Sequence, residues 1–210
     1  MLLYTMTDNE IKNEIQKELD FIFEKIAYRE KRIINQVKRL KRGVFPICIK
    51  SELITNHNNV GYLVYVIEMT RTKLRIHCTA YFLMQNHIGK YKLVEVAVTN
   101  QGLGSISIYS AHFFERYAER LELDVKGLSA IEHFISHYHR GTHYRESGKI
   151  FEPYPFGMGL GIYNNDDATL MYMNTFISND LFYKEQKEIT NIIKEKCTPS
   201  FTIKTIMAYE

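Results

Sequence analysis

Four β-rich segments joined by short connections constrain the fold of this chain more than any other feature. They cover residues 61–70, 74–85, 91–99 and 105–109, and all are rich in β-branched and aromatic residues. Neighbouring parallel strands need a crossover of about a dozen residues or more, and these connections are much shorter than that. The segments are therefore predicted to pair as an antiparallel meander.

The rest of the chain arranges helices and strands in blocks rather than in strict alternation. Helices are predicted at 111–122, 130–139 and 180–196, a hairpin at 157–177 turning at 164–167, and an edge strand at 201–208. Blocks of this kind are typical of α+β proteins. We predict an α+β fold in which a twisted antiparallel sheet carries a long N-terminal helix and two to three packed helices.

The N-terminal segment has the pattern of one long helix over residues 8–42. Thr7 and Glu10 have the spacing of a capping box, and apolar residues recur every three or four positions. Gly43 and Pro46 end the pattern. We interpret residues 1–43 as a helical extension, separable from an α+β core domain that spans residues 44–210.

Charge within this extension changes sign along its length, although the whole chain carries a net charge of only +3. Acidic residues fill the first half. The second half ends in four cationic residues, Lys38, Arg39, Lys41 and Arg42. These side chains could contact the phosphates of RNA, and the helix could also bind a protein partner or a second copy through residues 8–42. The same gradient complements the helix dipole, which explains it without any partner.

Cysteine use and hydropathy favour a cytoplasmic protein. The three cysteines, Cys48, Cys78 and Cys197, are scattered and form no CxxC pair, so neither a disulfide framework nor a thiolate zinc site is indicated. No segment approaches the ~20 apolar residues of a membrane span. We therefore expect reduced thiols and no membrane partner.

The segment most suggestive of chemistry is the predicted helix after Ser110, a residue well suited to the N-cap position. His112, Arg116 and Arg120 are each four residues apart and form one stripe. A second stripe beside it is apolar and contains Phe113, Phe114, Tyr117 and Leu121. The imidazole and the two guanidinium groups are thus expected at the boundary between core and solvent.

This arrangement suits a phosphate group. A helix N-terminus offers backbone N–H groups, and arginine binds phosphate oxygens at two points. A helix N-terminus also favours the neutral imidazole, which can accept a proton. Alternatively, His112 is an ordinary polar residue of the first turn, and the arginines pair with Glu115 and Glu119 on the helix surface.

The motif Ser110-x-His112-x3-Arg116-x2-Glu119-Arg120, after a strand and before more sheet, resembles the H…R…ER helix of small ribonuclease toxins. These form the broad barnase–EndoU–colicin–RelE-like superfamily. The resemblance covers residues 105–180. It implies RNA cleavage without metal or cofactor, by a His or Arg acting with a hydroxyl residue of a late strand. Thr175 is the matching hydroxyl residue here, and Ser178 is a second choice.

Histidines crowd a second segment, where His133 and His137 lie one helical turn apart and His139 and His143 follow. This spacing occurs in metal sites. However, Ser129 and Glu132 have capping-box spacing, which sets the helix phase so that His133 and His137 face solvent. No HExxH motif or clustered carboxylate accompanies them, so the sequence favours solvated histidines over a zinc site.

The sequence therefore predicts a metal-independent ribonuclease or toxin-like RNA-processing protein. His112, Arg116, Arg120 and Thr175 are the catalytic candidates, and Ser110 with the basic end of the extension would bind phosphate. Two alternatives stay open. One is a non-catalytic nucleic-acid-binding or assembly protein of a mobile element, and the other is a zinc-dependent hydrolase built on the histidines.

Overall fold

The computed structural model describes residues 1–71, 73–99, 102–139, 142–164, 167–197 and 201–208. Its helices are α1 (Asp8–Val37), α2 (Ala111–Arg120), α3 (Leu128–His137) and α4 (Lys184–Lys196). The first six strands are β1 (Ile47–Ile54), β2 (Val60–Met69), β3 (Leu74–Gln85), β4 (Tyr91–Thr99), β5 (Gly102–Tyr109) and β6 (Tyr138–His139). The later strands are β7 (Tyr144–Glu146), β8 (Lys149–Tyr154), β9 (Gly157–Asn164), β10 (Asp167–Ser178), β11 (Phe201–Thr202) and β12 (Thr205–Ala208).

Within the described residues, ten strands form one mixed sheet in the order β12-β1-β2-β3-β4-β5-β10-β9-β8-β7. The pairs β1–β12 and β5–β10 are parallel, and the other seven neighbouring pairs are antiparallel. The α+β class and the long N-terminal helix are confirmed. The expectation of a simply antiparallel sheet is wrong at the two pairs whose strands are distant in sequence, because local connection lengths carry no information about them.

The predicted meander is present as β2 to β5, with β5 starting three residues early, and the predicted hairpin is present as β9 and β10. Residues 165 and 166 of its turn lie outside the described residues. Strand β1 was not predicted, although it pairs with β2 along its whole length. Its sequence follows Pro46 directly and carries Lys50, Ser51 and Glu52 in its middle, which weakens the apolar signal of a strand.

Burial alternates along the central strands and produces cores on both faces of the sheet. In β2, Leu63, Tyr65 and Ile67 pack towards α1, whereas Tyr62, Val64 and Val66 pack towards α2 and α3. Successive side chains of a strand point to opposite faces, so a run that is apolar throughout has to be covered twice. The helices α1 on one side and α2 with α3 on the other provide this cover.

The long helix α1 contributes to one of these two cores. Ile11, Ile15, Ile22, Ile33 and Val37 are buried against strand residues of the sheet. The helix ends at Val37, five residues before the predicted end, and a short 3-10 helix follows at 42–44. The proposed division at residue 43 thus falls in a connection, but the helix before it packs into the core of the sheet.

Polar contacts also fix α1 to the turn between β1 and β2. Glu18 is only 1% exposed, and its carboxylate accepts hydrogen bonds from the Thr55 hydroxyl and from Asn59 Nδ2, the latter at 2.7 Å. His57 Nδ1 lies 3.1 Å from the same carboxylate. These contacts hold residues 55–59 against α1 at one end of the sheet.

The cysteines are free thiols in the structure. Burial raises the pKa of both Cys48 and Cys78 to about 12. Among the described residues, none of the helices combines the length with the hydropathy that a membrane-spanning helix needs.

Because α1 packs into the core of the sheet, changes to its buried residues are expected to lower the free energy of unfolding. Ile22→Ala is expected to lower the free energy of unfolding by about 2–5 kcal/mol, because Ile22 is fully buried and leaves a cavity. Tyr28→Ala on the same helix is the matched control and should change it by less than about 0.5 kcal/mol, since Tyr28 is 65% exposed. Urea unfolding followed by circular dichroism measures both values.

Deletion of residues 1–43 extends this test to the domain boundary. With one face of the sheet uncovered, we expect the remaining chain to show no cooperative unfolding transition. A folded and cooperative fragment of residues 44–210 would instead establish the separable extension that the sequence pattern suggested.

Candidate functional site

Helix α2 begins where β5 ends, and Ser110 joins the two. The Ser110 hydroxyl accepts a hydrogen bond from the Phe113 amide at 3.1 Å, which is the N-cap geometry expected from the sequence. The same hydroxyl donates to the Asn174 carbonyl at 3.0 Å, and the Ser110 amide donates to the Met173 carbonyl at 3.0 Å. The start of α2 is therefore fixed to β10, a strand that lies 64 residues away in sequence.

The two stripes predicted on α2 are both present. Phe113, Phe114 and Tyr117 are buried and pack edge-on against Phe134 of α3. Phe113 and Tyr117 also contact the ring of Phe176 in β10. The polar stripe lies at the solvent boundary, where His112 is 54% and Arg116 is 39% exposed at the side chain.

A chain of charged contacts runs from α2 to the hairpin between β3 and β4. His112 Nδ1 lies 3.6 Å from Glu115 Oε2, and Lys90 Nζ donates to Glu115 Oε1 at 2.9 Å. The hydrogen bond from Lys90 is the main cause that lowers the pKa of Glu115, and His112 acts in the same direction. Because Nδ1 of His112 faces Glu115, the other ring nitrogen, Nε2, is left for a ligand.

The two arginines have different partners. Arg116 pairs with Glu119 at 2.6 Å, which is the surface pairing that the sequence left open as an alternative. Arg120 instead donates to the backbone carbonyl of Phe176 in β10. Arg120 thus fastens the end of α2 to the same strand that Ser110 fastens at its start.

Thr175 lies on β10 next to this contact, but its side chain belongs to the other face of the sheet. The register of β10 against β9 shifts between Met173 and Thr175 and is regular from Thr175 onwards. Phe176 packs against α2, so the residue before it points away from α2. Ser178 shares the face of Phe176 and is 3% exposed.

The structure therefore brings Ser110, His112, Arg116 and Arg120 to one helix edge, without the Thr175 hydroxyl.

The basic end of the N-terminal segment lies elsewhere. Arg42 donates to the carbonyl of Arg71 in the turn between β2 and β3. That turn and the start of α2 are at opposite ends of the sheet, separated by strands of roughly 25 Å or more at ~3.3 Å per residue. Four exposed side chains, those of Lys38, Arg39, Lys41 and Arg42, thus form a separate basic surface.

The histidine segment is packed differently from the prediction. His133 and His137 are half-buried rather than solvent-facing, and their rings stack with centroids 4.0 Å apart. The hydroxyl of Tyr117 is 2.7 Å from His133 Nδ1, and burial lowers the pKa of His133. Helix α3 begins at Leu128, one residue before Ser129, so Ser129 is not its N-cap, and the Glu132 carboxylate accepts from Tyr62 and Lys50. Over the described residues, no group of three or more His, Cys, Asp and Glu is placed to hold a metal ion.

A buried polar group on the α2 side of the sheet was missed by sequence reasoning. Tyr109 donates towards Glu95 Oε2 at 2.9 Å and towards Glu152 Oε2 at 3.2 Å. Both carboxylates are at most 5% exposed. A phenol carries one proton and can donate to only one of them at a time. The available signal was an acidic residue inside each of two apolar runs, at 93–96 in β4 and at 150–154 in β8.

Comparisons of this chain with protein-family models, with curated proteins and with solved structures found no match. The evidence for a functional site is therefore the arrangement of side chains at the start of α2.

The Tyr109 bridge gives a stability prediction. Tyr109→Phe removes the shared donor from two buried carboxylates and is expected to lower the free energy of unfolding by about 1–3 kcal/mol. Tyr183→Phe is the control, because Tyr183 is 74% exposed. Thermal unfolding measures both variants. Equal stability of the two would show that the bridge contributes nothing to the fold.

Proposed function

We propose that the chain is a metal-independent ribonuclease, or a related RNA-processing protein, that acts at the first two turns of α2. The observation that supports this most is the placement of His112 and Arg116. They are exposed, one helical turn apart, on a helix that Ser110 fixes to β10. A proton acceptor and a phosphate-binding guanidinium thus share one rigid edge.

In this proposal Nε2 of His112 accepts the proton of a ribose 2′-hydroxyl. The 2′-oxygen then forms a bond to phosphorus, and the bond from phosphorus to the 5′-oxygen breaks. The departing 5′-oxygen takes a proton from solvent. The imidazolium of His112 then returns its proton to solvent, and the products are a 2′,3′-cyclic phosphate and a 5′-hydroxyl end.

Arg116 would stabilise the negative charge that develops on the phosphorane. To do so, Arg116 breaks its ion pair with Glu119 and binds the phosphate instead. The free energy lost with the ion pair is small, because exposed ion pairs contribute only about 0–1 kcal/mol. Bidentate arginine–phosphate contacts, by contrast, are among the strong hydrogen bonds. Arg120 is a positioning residue in this scheme, since its guanidinium holds the end of α2 on the Phe176 carbonyl.

The decisive variants are His112→Ala and Arg116→Lys. With a fluorescent RNA, we expect the first to reduce cleavage at least a hundredfold, in line with the roughly 10²–10⁴-fold contribution of general acid–base groups. The second keeps the charge but loses the planar fork, and should also impair cleavage strongly. His87→Ala is the control, because His87 is exposed on the neighbouring hairpin at the same end of the sheet.

The products and a chelator separate this proposal from its alternatives. We expect 2′,3′-cyclic ends and no effect of EDTA. Loss of activity in EDTA would point to the zinc hydrolase instead. RNA binding without cleavage, weakened by charge reversal at Lys38 and Arg39, would favour the non-catalytic nucleic-acid-binding protein.

A further inference from the structure

A cavity of about 420 Å³ opens at the same end of the sheet as the start of α2. Its walls come from the turn after β1, the facing ends of β3 and β4, the start of α3 and the first three residues of the chain. Because β1, β2, β3 and β4 are antiparallel neighbours, the β1–β2 turn and the β3–β4 turn lie at the same end of the sheet.

The lining side chains combine rings, amides and aliphatic groups. Tyr62 and Tyr91 supply the aromatic side chains, Asn58 and Gln85 supply exposed amides, and Leu83 and Val60 supply aliphatic surface. The formal charge among the described lining residues is the α-ammonium of Met1, and the Glu14 carboxylate already pairs with it. A phosphate or carboxylate would have to displace Glu14 from that ammonium, whereas a purely aliphatic ligand would cover the amides without satisfying them.

The wall of the cavity is held firmly. Asn59 is 1% exposed and binds the Glu18 carboxylate through its amide nitrogen, while its amide oxygen accepts from the Leu2 amide. The Tyr62 hydroxyl donates to Glu132 at 2.8 Å, and burial, with that bond, raises the pKa of Tyr62. A preformed pocket of this kind binds without a large ordering cost.

The cavity is adjacent to the candidate site on α2. Tyr91 of the lining directly follows Lys90 in sequence, and Lys90 Nζ bonds Glu115, which in turn faces His112. The side chains of Glu115 and Lys90 therefore span the gap between His112 and the strand residue that borders the cavity, so one RNA strand can contact both places.

We propose that this cavity binds one nucleobase of the RNA on which α2 acts. This inference rests on the proposed function and names the part of the substrate that the pocket recognises. A nucleobase is flat and neutral, and its edge carries hydrogen-bond donors and acceptors. Tyrosine rings stack on such faces, and Asn and Gln amides pair with such edges.

The test measures binding of adenosine, guanosine, cytidine and uridine to the full chain by isothermal titration calorimetry, with ribose as the base-free and phosphate-free probe. We expect at least one nucleoside to bind and ribose not to bind. Tyr91→Leu keeps an apolar wall but removes the stacking ring, and should weaken that binding about fivefold or more. Tyr183→Leu, at an exposed tyrosine of the chain, should leave it unchanged.

A second variant covers the case in which Tyr91→Leu unfolds. Gln85→Glu is nearly isosteric on an exposed side chain, and should shift the preference among the four nucleosides by exchanging an amide donor for a charge. Nucleoside binding that neither variant alters would place the ligand elsewhere and overturn the inference.

The two proposals fail in different ways. Binding that responds to Tyr91→Leu, in a protein that cleaves no RNA, supports the base pocket and refutes the ribonuclease. Cleavage that is lost in His112→Ala, with no nucleoside bound at millimolar concentration, supports the ribonuclease and refutes the pocket.

Discussion

The parallel pairing of β5 with β10 is the interaction on which the rest of the structure depends. Residues Ile106–Tyr109 align with Leu170–Met173 and so join two meanders into one sheet. A parallel pair requires a long crossover, and here that crossover contains α2 and α3. The crossover covers one face of the sheet, leaves α1 to cover the other, and brings the start of α2 to the strand end where Ser110 binds Asn174.

The candidate site combines a rigid backbone with weakly held charges. Ser110 and Arg120 fasten both ends of α2 to β10, and aromatic rings fill the space beneath it. The pairs that His112 and Arg116 make are exposed, so water and salt screen them. An incoming anion can replace a screened partner without disturbing the helix, which is the arrangement a reversible phosphate site requires.

Local sequence patterns predicted those elements whose formation depends on residues close together in the chain. Short connections predicted the meander from β2 to β5, and the Ser110 cap predicted the start of α2. The helical period of the apolar residues predicted which rings of α2 are buried. Contacts between distant segments were not predictable in the same way. Nothing near Arg120 indicates that its partner is the Phe176 carbonyl, and nothing near Tyr109 indicates that Glu152 shares its proton donor with Glu95. The shift of register in β10, which turns Thr175 away from α2, likewise cannot be predicted from the sequence.

The parallel pair of β1 and β12 has a consequence for the order in which the chain can assemble. The Thr205 hydroxyl bonds the Val44 carbonyl across 161 residues, and β12 aligns with the strand that starts at Ile47. During synthesis at about 5–20 residues per second, β1 emerges many seconds before its partner exists. For that interval the nascent sheet has an open edge, whose unpaired N–H and C=O groups are a template for other strands. Once paired, β12 covers residues 47–50 of β1 and becomes the outer strand itself, and with four residues it offers other strands a shorter template than β1 does.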